Sequence, residues 1–525
     1  MRKPIFATLI TALLLALAAG RITPIFNWLA LSLVALLVLA IIDATQKRRA
    51  VLRNFPVIGR MRYLFEMIRP EINQYFVESN TDGTPFNREV RSLVYQRAKR
   101  VLDTLPFGTQ RDVYAPGYEW IAHSFLARSI PHDYEARVLI GEGQCDEPYS
   151  ASLLNVSAMS FGSLSSNAIL ALNLGARLGR FYHNTGEGGV SPYHKAKGGD
   201  LVWQIGTGYF GCRNESGGFD PGRFQETATL EQVKMIEVKL SQGAKPGHGG
   251  ILPAVKLTRE IAEIRGVPMG HDVLSPPTHS AFTTPLELLQ FVSDLRRLSG
   301  GKPVGIKLCV GSKREFMALC KAMMETDRHP DFIAVDGGEG GTGAAPIEFS
   351  NSVGMPLSDG LVFVHNCLVG FKLRAGIRLI ASGKIANGFD MVAKLALGAD
   401  LCNSARAMMM ALGCIQARRC NSNDCPVGVT TQNPGLVVGL DVDSKGERTF
   451  NFHKETVRAF LELLGAAGLS DPGELRPHHI MRRIDGTQVR TYAEIFPYLQ
   501  PGALMTDPVP EAYEQDWVRA SSATF

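Results

Sequence analysis

Phe332-Ile333-Ala334-Val335-Asp336-Gly337-Gly338-Glu339-Gly340-Gly341-Thr342-Gly343 is a short β-rich run that breaks into glycines. Gly338, Gly340 and Gly343 spell a literal Gly-x-Gly-x-x-Gly, which between a strand and a helix would be a dinucleotide loop. Two features argue against that reading. Ala345-Pro346 discourages an immediate helix, because the residue before a proline is pushed out of the helical region. The run is also one of a series: β-rich runs occur at 156–161, 180–185, 235–240, 270–274, 304–308, 332–336, 378–381 and 400–403, with an extra hairpin expected around 201–212. Helical stretches alternate with them, so eight strand–helix units predict an α/β fold, a (β/α)8 TIM barrel, with its chemistry at the carboxyl ends of the strands.

The residues after the runs suit a barrel mouth. They include Gly162-Ser163, Gly186-Glu187-Gly188-Gly189, Gln242-Gly243-Ala244-Lys245-Pro246-Gly247, Ser275-Pro276-Pro277, Cys309, Ser382-Gly383-Lys384 and Ser404. By this count Lys245 lies on the third strand-end loop. Glycines let a backbone approach a ligand and turn its amides toward phosphate. Gly340, Gly341 and Gly343 with Ser382 and Gly383 therefore make the candidate phosphate cradle, near the end of the strand series where barrels usually bind phosphate.

Beyond the last run, Cys414, Cys420 and Cys425 stand at Cys-x5-Cys-x4-Cys with Pro426 directly after. A short, turn-rich loop of thiolates suits an inorganic cluster, and three ligands suit a three-iron (3Fe-4S) one. Zinc ordinarily takes four ligands, and no convincing fourth ligand stands near these three; three unrelated thiols are the plain alternative. A mononucleotide phosphate site together with a redox cluster implies FMN. His271 and the His478-His479 pair read as packing or surface residues.

The 525 residues, 45% hydrophobic and 20% charged, are ordinary for a globular protein with one large domain and extra segments. Nine cysteines are too sparse for a disulfide framework. The first 43 residues differ: 4–20 and 22–42 are mostly apolar, uncharged runs separated by Arg21. A transmembrane hairpin is the preferred reading, although the first run would also suit a signal peptide. Lys47, Arg48, Arg49, Arg53, Arg60 and Arg62 follow with no acidic residue between 44 and 65, which places the succeeding domain in the cytoplasm by the positive-inside rule. Without those six the chain carries 49 basic and 50 acidic residues, so the net charge of +5 is a membrane-flank effect and not a nucleic-acid surface. The expected organisation is a hairpin at 1–45, a basic juxtamembrane and N-terminal extension at 46–140, the barrel with its cysteine loop at 141–470 and a C-terminal extension at 471–525.

Met159-Ser160-Phe161-Gly162, Asn184-Thr185-Gly186-Glu187-Gly188-Gly189, the Gln242–Gly247 loop, Gly341-Thr342-Gly343-Ala344 and Cys420-x4-Cys425-Pro426-Val427-Gly428-Val429-Thr430-Thr431-Gln432 resemble, in order, the flavin-binding synthase domain of glutamate synthase. The apolar start and the absence of glutaminase and β-helical domains point to its membrane-anchored, stand-alone branch. The resemblance implies that ammonia and 2-oxoglutarate form an imine, which takes a hydride from the reduced flavin. It makes Lys245 the cation beside the substrate, Arg265 a substrate-binding arginine and Glu187 the acid that handles ammonia. Lys307, a charge inside the apolar run 304–308, would stabilise the reduced ring, with Ser160, Thr185 and Gln242 as further flavin contacts.

Ile251 departs from the pattern, because the family commonly has a glutamine there that helps to hold the keto acid. Pro276-Pro277-Thr278-His279-Ser280 keeps a second motif only in part. Two alternatives therefore stand beside an amino-acid-forming enzyme: a membrane-linked flavin and iron–sulfur dehydrogenase of another small acid or amine, and a non-catalytic electron relay. No nicotinamide-binding domain is recognisable, so the expected electron donor is ferredoxin, a reductase subunit or quinone.

Overall fold

The computed structural model describes residues 2–131 and 134–525, which divide into two units, Met1–Arg88 and Glu89–Phe525. In the first unit, helices Arg2–Gly20 and Ile25–Thr45 have 19 and 21 residues and are long and apolar enough to cross a membrane. A rise of 1.5 Å per residue gives lengths of roughly 28 and 31 Å, about the hydrocarbon thickness of a bilayer. The two helices pack along each other. Ala16, Ala30 and Ala40 are buried while most of the larger side chains are exposed, as expected where small residues let apolar helices approach closely.

The second unit is built on a closed barrel of eight parallel strands: β1 Leu154–Val156, β2 His183–Asn184, β3 Leu201–Ile205, β4 Val233–Lys239, β5 Val304–Leu308, β6 Phe332–Asp336, β7 Arg378–Ser382 and β8 Leu401–Ser404. β8 closes on β1 with Cys402 opposite Leu154. Helices follow the strands, and their starts carry the expected chemistry. Ser165 caps Ser166–Gly179, Thr284 and Glu287 form a capping box on Pro285–Leu298, and Asn387 caps Gly388–Ala396; each supplies an oxygen to an amide the helix cannot satisfy.

The count of eight was right, but one member was not. Leu201–Ile205, expected as a hairpin, is barrel strand β3 and is buried throughout. Trp203 stacks on Phe224 of helix Pro221–Ala228, so by strand alternation its neighbour Gln204 points into the barrel. The run 270–274 is not a barrel strand: Val273–Leu274 pairs antiparallel with Ile251–Leu252 in a long insertion after β4, and Leu274 is 64% exposed. Lys245 accordingly follows the fourth strand, not the third.

Polar groups inside the barrel satisfy one another. The buried Glu237 carboxylate accepts hydrogen bonds from Asn184 (2.9 Å) and Gln204 (2.5 Å), and the Tyr182 hydroxyl donates to Asn403 at 2.7 Å. Glu119–Ile121, before the barrel, joins Ile480–Arg483 and Val489–Thr491, after it, in one antiparallel sheet.

Candidate active site at the barrel mouth

The carboxyl ends of β1, β2 and β4 bring four charged side chains together. Glu187 follows β2, and its Oε1 accepts a hydrogen bond from Nζ of Lys239, the last residue of β4, at 2.8 Å. Lys245, six residues on, is buried and donates to the Ala344 carbonyl at 2.8 Å. Arg265, at the end of helix Arg259–Arg265 in the long insertion, donates to the Phe161 carbonyl (3.1 Å) and Ser160 Oγ (3.4 Å). Its guanidinium carbon lies 5.2 Å from the centre of the Phe210 ring, and its buried Nε has no hydrogen-bond partner among the described residues.

These charges shift one another. Burial alone would raise the Glu187 carboxyl, yet the Lys239, Lys245 and Arg265 cations hold it below the ordinary carboxylate value. Burial lowers Lys245 to about 8, opposed by Glu187 and assisted by Lys239. Arg265 is lowered to about 10 by burial, again opposed by Glu187. The partly kept Pro-Pro motif also reaches this wall: His279 bonds the Lys239 carbonyl through Nε2 (2.9 Å) and the Tyr209 hydroxyl through Nδ1 (3.1 Å). Burial lowers His279 to about 4, which keeps the ring neutral.

On the other side of the mouth, Lys307 at the end of β5 lies 3.7 Å from Asp336 at the end of β6, both largely buried. Asp336 also accepts from the Gly243 amide at 2.8 Å. A Cβ on Gly243 would lie 1.7 Å from the Gly337 carbonyl oxygen, so only glycine lets the loops after β4 and β6 meet. Gly186 (φ +64°) does the same between β1 and β2, where a Cβ would stand 2.6 Å from the Ser160 amide nitrogen.

Gly340, Gly341 and Gly343 lie in the loop beside Arg406, which donates to the Glu339 carbonyl at 2.6 Å; a Cβ on Gly341 would come within 2.7 Å of the Arg406 side chain. The Ser382 carbonyl accepts from the Gly337 amide at 2.9 Å, joining the loops after β6 and β7, and Gly383 packs against Gly337 and Leu357. Burial and then the nearby Arg406 charge lower Lys384. Two cations held near each other at a glycine-lined turn suit an anionic phosphate.

The remaining expected contacts fall as follows. The Thr185 hydroxyl is occupied, donating to the Gly186 carbonyl (3.0 Å) and accepting from the Gln204 amide (3.2 Å). Ser160 Oγ donates to Ser163 Oγ at 3.1 Å, and Gln242 is half-buried on the Lys245 loop.

Cys414, Cys420 and Cys425 are all free thiols in the loop that follows helix Arg406–Leu412, the helix after β8. Among the described residues no three or more His, Cys, Asp or Glu side chains surround a single ion position. Burial pushes Cys414 up to about 11. At Cys425 burial is outweighed by Thr430 and by the amides of Val427 and Val429, which hold the thiol below its ordinary value. The Thr430 hydroxyl opposes the effect of burial at Cys420 as well. Lys256, fully buried, donates to the Ser163 carbonyl (2.6 Å) and to the Cys420 carbonyl (3.2 Å), tying this loop to the one after β1. A hydroxyl and backbone amides turned toward the thiols, with the buried Lys256 cation beside them, suit an anionic cluster.

Lys239, Asp336, Lys384, Arg406 and Lys256 were not singled out from the sequence. A charge ending an apolar strand, the signal that marked Lys307, also marks Asp336 but not Lys239, whose strand already carries Lys234 and Glu237. Lys256 and Arg406 carry no such signal.

The fold is a (β/α)8 barrel whose mouth gathers buried cations around Glu187 and brings glycine-rich turns together. Residues 118–470 match the family described as the conserved region in glutamate synthase, and the chain belongs to that family. The glutamate synthase large subunit-like protein YerD of Bacillus subtilis (strain 168) is 36% identical over 486 residues, covering 85% of this chain and 92% of that protein. The archaeal glutamate synthase (NADPH) of Methanocaldococcus jannaschii is 35% identical over 322 residues, covering 61% of this chain and 60% of that protein. The match to the glutamate synthase (NADPH) large chain of Azospirillum brasilense, 34% identical, covers 60% of this chain and 20% of that one. The chain thus spans nearly all of the first relative but only part of the other two. Among solved structures, a mandelate oxidase mutant with benzaldehyde aligns over 82% of this chain and 96% of its own at a TM-score of 0.42 and 15% identity, too distant to carry chemistry across.

Proposed function

We propose that this chain is an FMN- and iron–sulfur-dependent oxidoreductase of glutamate synthase type, reducing the imine formed from ammonia and 2-oxoglutarate, or a related keto acid, to the amino acid. The observation that carries this reading is the convergence of Lys239, Lys245 and Arg265 on the single carboxylate of Glu187. Buried charge is costly unless paired, so the surplus of cations suits a substrate that brings carboxylates of its own. The names of the curated relatives support the same chemistry.

In this reading the orphaned N–H of Arg265 meets a substrate carboxylate and the Lys245 ammonium polarises the keto oxygen. Glu187 relays two protons in turn from nitrogen to the former keto oxygen, the first as ammonia adds to the carbonyl and the second as water leaves, giving the imine. FMN, when bound, would supply the hydride that reduces the imine carbon. Gly340, Gly341, Gly343, Ser382 and Gly383, with Lys384 and Arg406, would hold its phosphate, and Lys307, Ser160, Thr185 and Gln242 would line its ring. Cys414, Cys420 and Cys425 would hold a 3Fe-4S cluster; the thiolates of such a cluster bind separate irons, so they need not surround one ion. Electrons would come from a ferredoxin, a reductase subunit or quinone. The two N-terminal helices and their basic flank would anchor the chain in the cytoplasmic membrane with the barrel on the cytoplasmic side.

A second reading, a membrane-linked dehydrogenase of another small acid or amine, is favoured by Ile251. This apolar residue pairs with Leu274 and follows Gly250, whose Cβ position is 2.6 Å from Glu187 Oε1. Anaerobic mixing separates the two. If dithionite-reduced protein is reoxidised by 2-oxoglutarate only when ammonium is present, the first reading holds; if neither this nor other keto acids plus ammonium reoxidise it, while a small acid or amine reduces the oxidised flavin, the second replaces it.

A further inference from the structure

Helix Arg60–Ile72 has no buried residue. Met61, Leu64, Phe65, Ile68 and Ile72 recur at three- and four-residue spacing and share one face, whereas Arg62, Glu66 and Arg69 share another. Phe65 is 56% exposed. The chain continues in a wider π-turn, Asn73–Val77, that leaves Tyr75, Phe76 and Val77 exposed as well. A contiguous apolar face of this kind marks an interaction surface.

Asp43 fixes where that face lies. It sits in the last turn of Ile25–Thr45, is buried, and accepts hydrogen bonds from the Val57 amide (3.0 Å) and from Arg60 Nε (3.0 Å) and Nη2 (2.7 Å). The forked bond fastens the first residue of the amphipathic helix to the end of the apolar one. The Arg49 guanidinium, 4.5 Å from the centre of the Tyr63 ring, adds a second tie. Between 46 and 72 stand seven basic residues against two acidic, a surplus suited to anionic headgroups at the point where a spanning helix leaves the hydrocarbon.

We propose that Arg60–Ile72 and the apolar turn after it lie in the headgroup zone of an anionic bilayer as an interfacial helix, with the Met61–Phe65–Ile72 face toward the acyl chains and Arg62 and Arg69 toward the phosphates. This rests on the reading of the first two helices as membrane-spanning. The test uses the full chain in vesicles of phosphatidylglycerol and phosphatidylcholine, with a benzophenone amino acid placed singly at positions 34, 61, 62, 65 and 66 and lipid adducts measured by mass spectrometry. Adducts at 34, and at 61 and 65 several-fold above 62 and 66, are expected. Adducts at 34 with 61 and 65 no higher than 62 and 66 would overturn the interfacial helix alone. An absence of adducts at 34 would overturn the spanning reading on which it stands.

Discussion

Lys245 is held by burial at about 8, against an ordinary value of 10.5, and this gives its role a pH signature. Its charged form is the one that polarises a carbonyl, and with a lowered value that form is lost as pH rises through about 8. The kcat/KM for keto acid, which reports the free enzyme, should therefore fall above about pH 8, and Lys245→Arg should move the fall upward in a pH–rate profile. Lys245→Ala should retain flavin and iron yet lose about 3 kcal/mol of transition-state stabilisation, roughly a hundredfold in rate. Near-normal turnover in that variant would remove the lysine from the mechanism. Lys245 and Glu187 could be singled out as candidates because each stands in a glycine-rich strand-end motif, whereas Arg265 was reached only through the family resemblance. Lys239 was not, because a lysine ending a strand looks like an ordinary solvated terminus until its partner, 52 positions earlier, is known.

At the scale of elements, the barrel was readable because seven of its strands fall at or beside β-rich runs followed by glycine or polar loops. The third strand was misassigned for a physical reason. Leu201–Ile205 places Gln204 among apolar residues, and nothing local tells that this amide meets Glu237 inside a barrel. The run 270–274 looked equally strand-like, yet forms a two-residue ladder at the edge of an insertion. The two segments should differ sharply on truncation. Trp203→Ala, removing a fully buried ring, should cost about 3–5 kcal/mol in denaturant unfolding, whereas Leu274→Ala should stay within about 0.5 kcal/mol. Similar costs would contradict the assignment of β3. The cysteine loop is a further element with its own readout. Wild-type protein should show a paramagnetic three-iron signal when oxidised, and single Cys414→Ser, Cys420→Ser or Cys425→Ser variants should lose it. A four-iron spectrum would mean a further ligand.

For the whole molecule, the proposed function would divide attachment from chemistry at Arg88, where the chain separates into two units. A chain lacking residues 1–45 should still fold, bind flavin and leave the membrane fraction at high salt, because the barrel carries its own core and only the basic, amphipathic segment around 46–77 would remain to hold lipid. Fractionation at rising ionic strength checks this, and tight retention at high salt would assign anchoring to another surface. The central claim is that a keto acid and ammonia meet over a reduced flavin in the mouth bounded by Glu187, Lys239, Lys245 and Arg265. It is tested most directly by supplying the reduced, purified full-length protein with 15N-ammonium and 2-oxoglutarate or related keto acids and following the label by mass spectrometry. The account predicts 15N-labelled amino acid from wild-type protein and a loss of roughly a hundredfold or more with Lys245→Ala. Fully reduced, flavin-loaded protein that leaves every keto acid unaminated would contradict it.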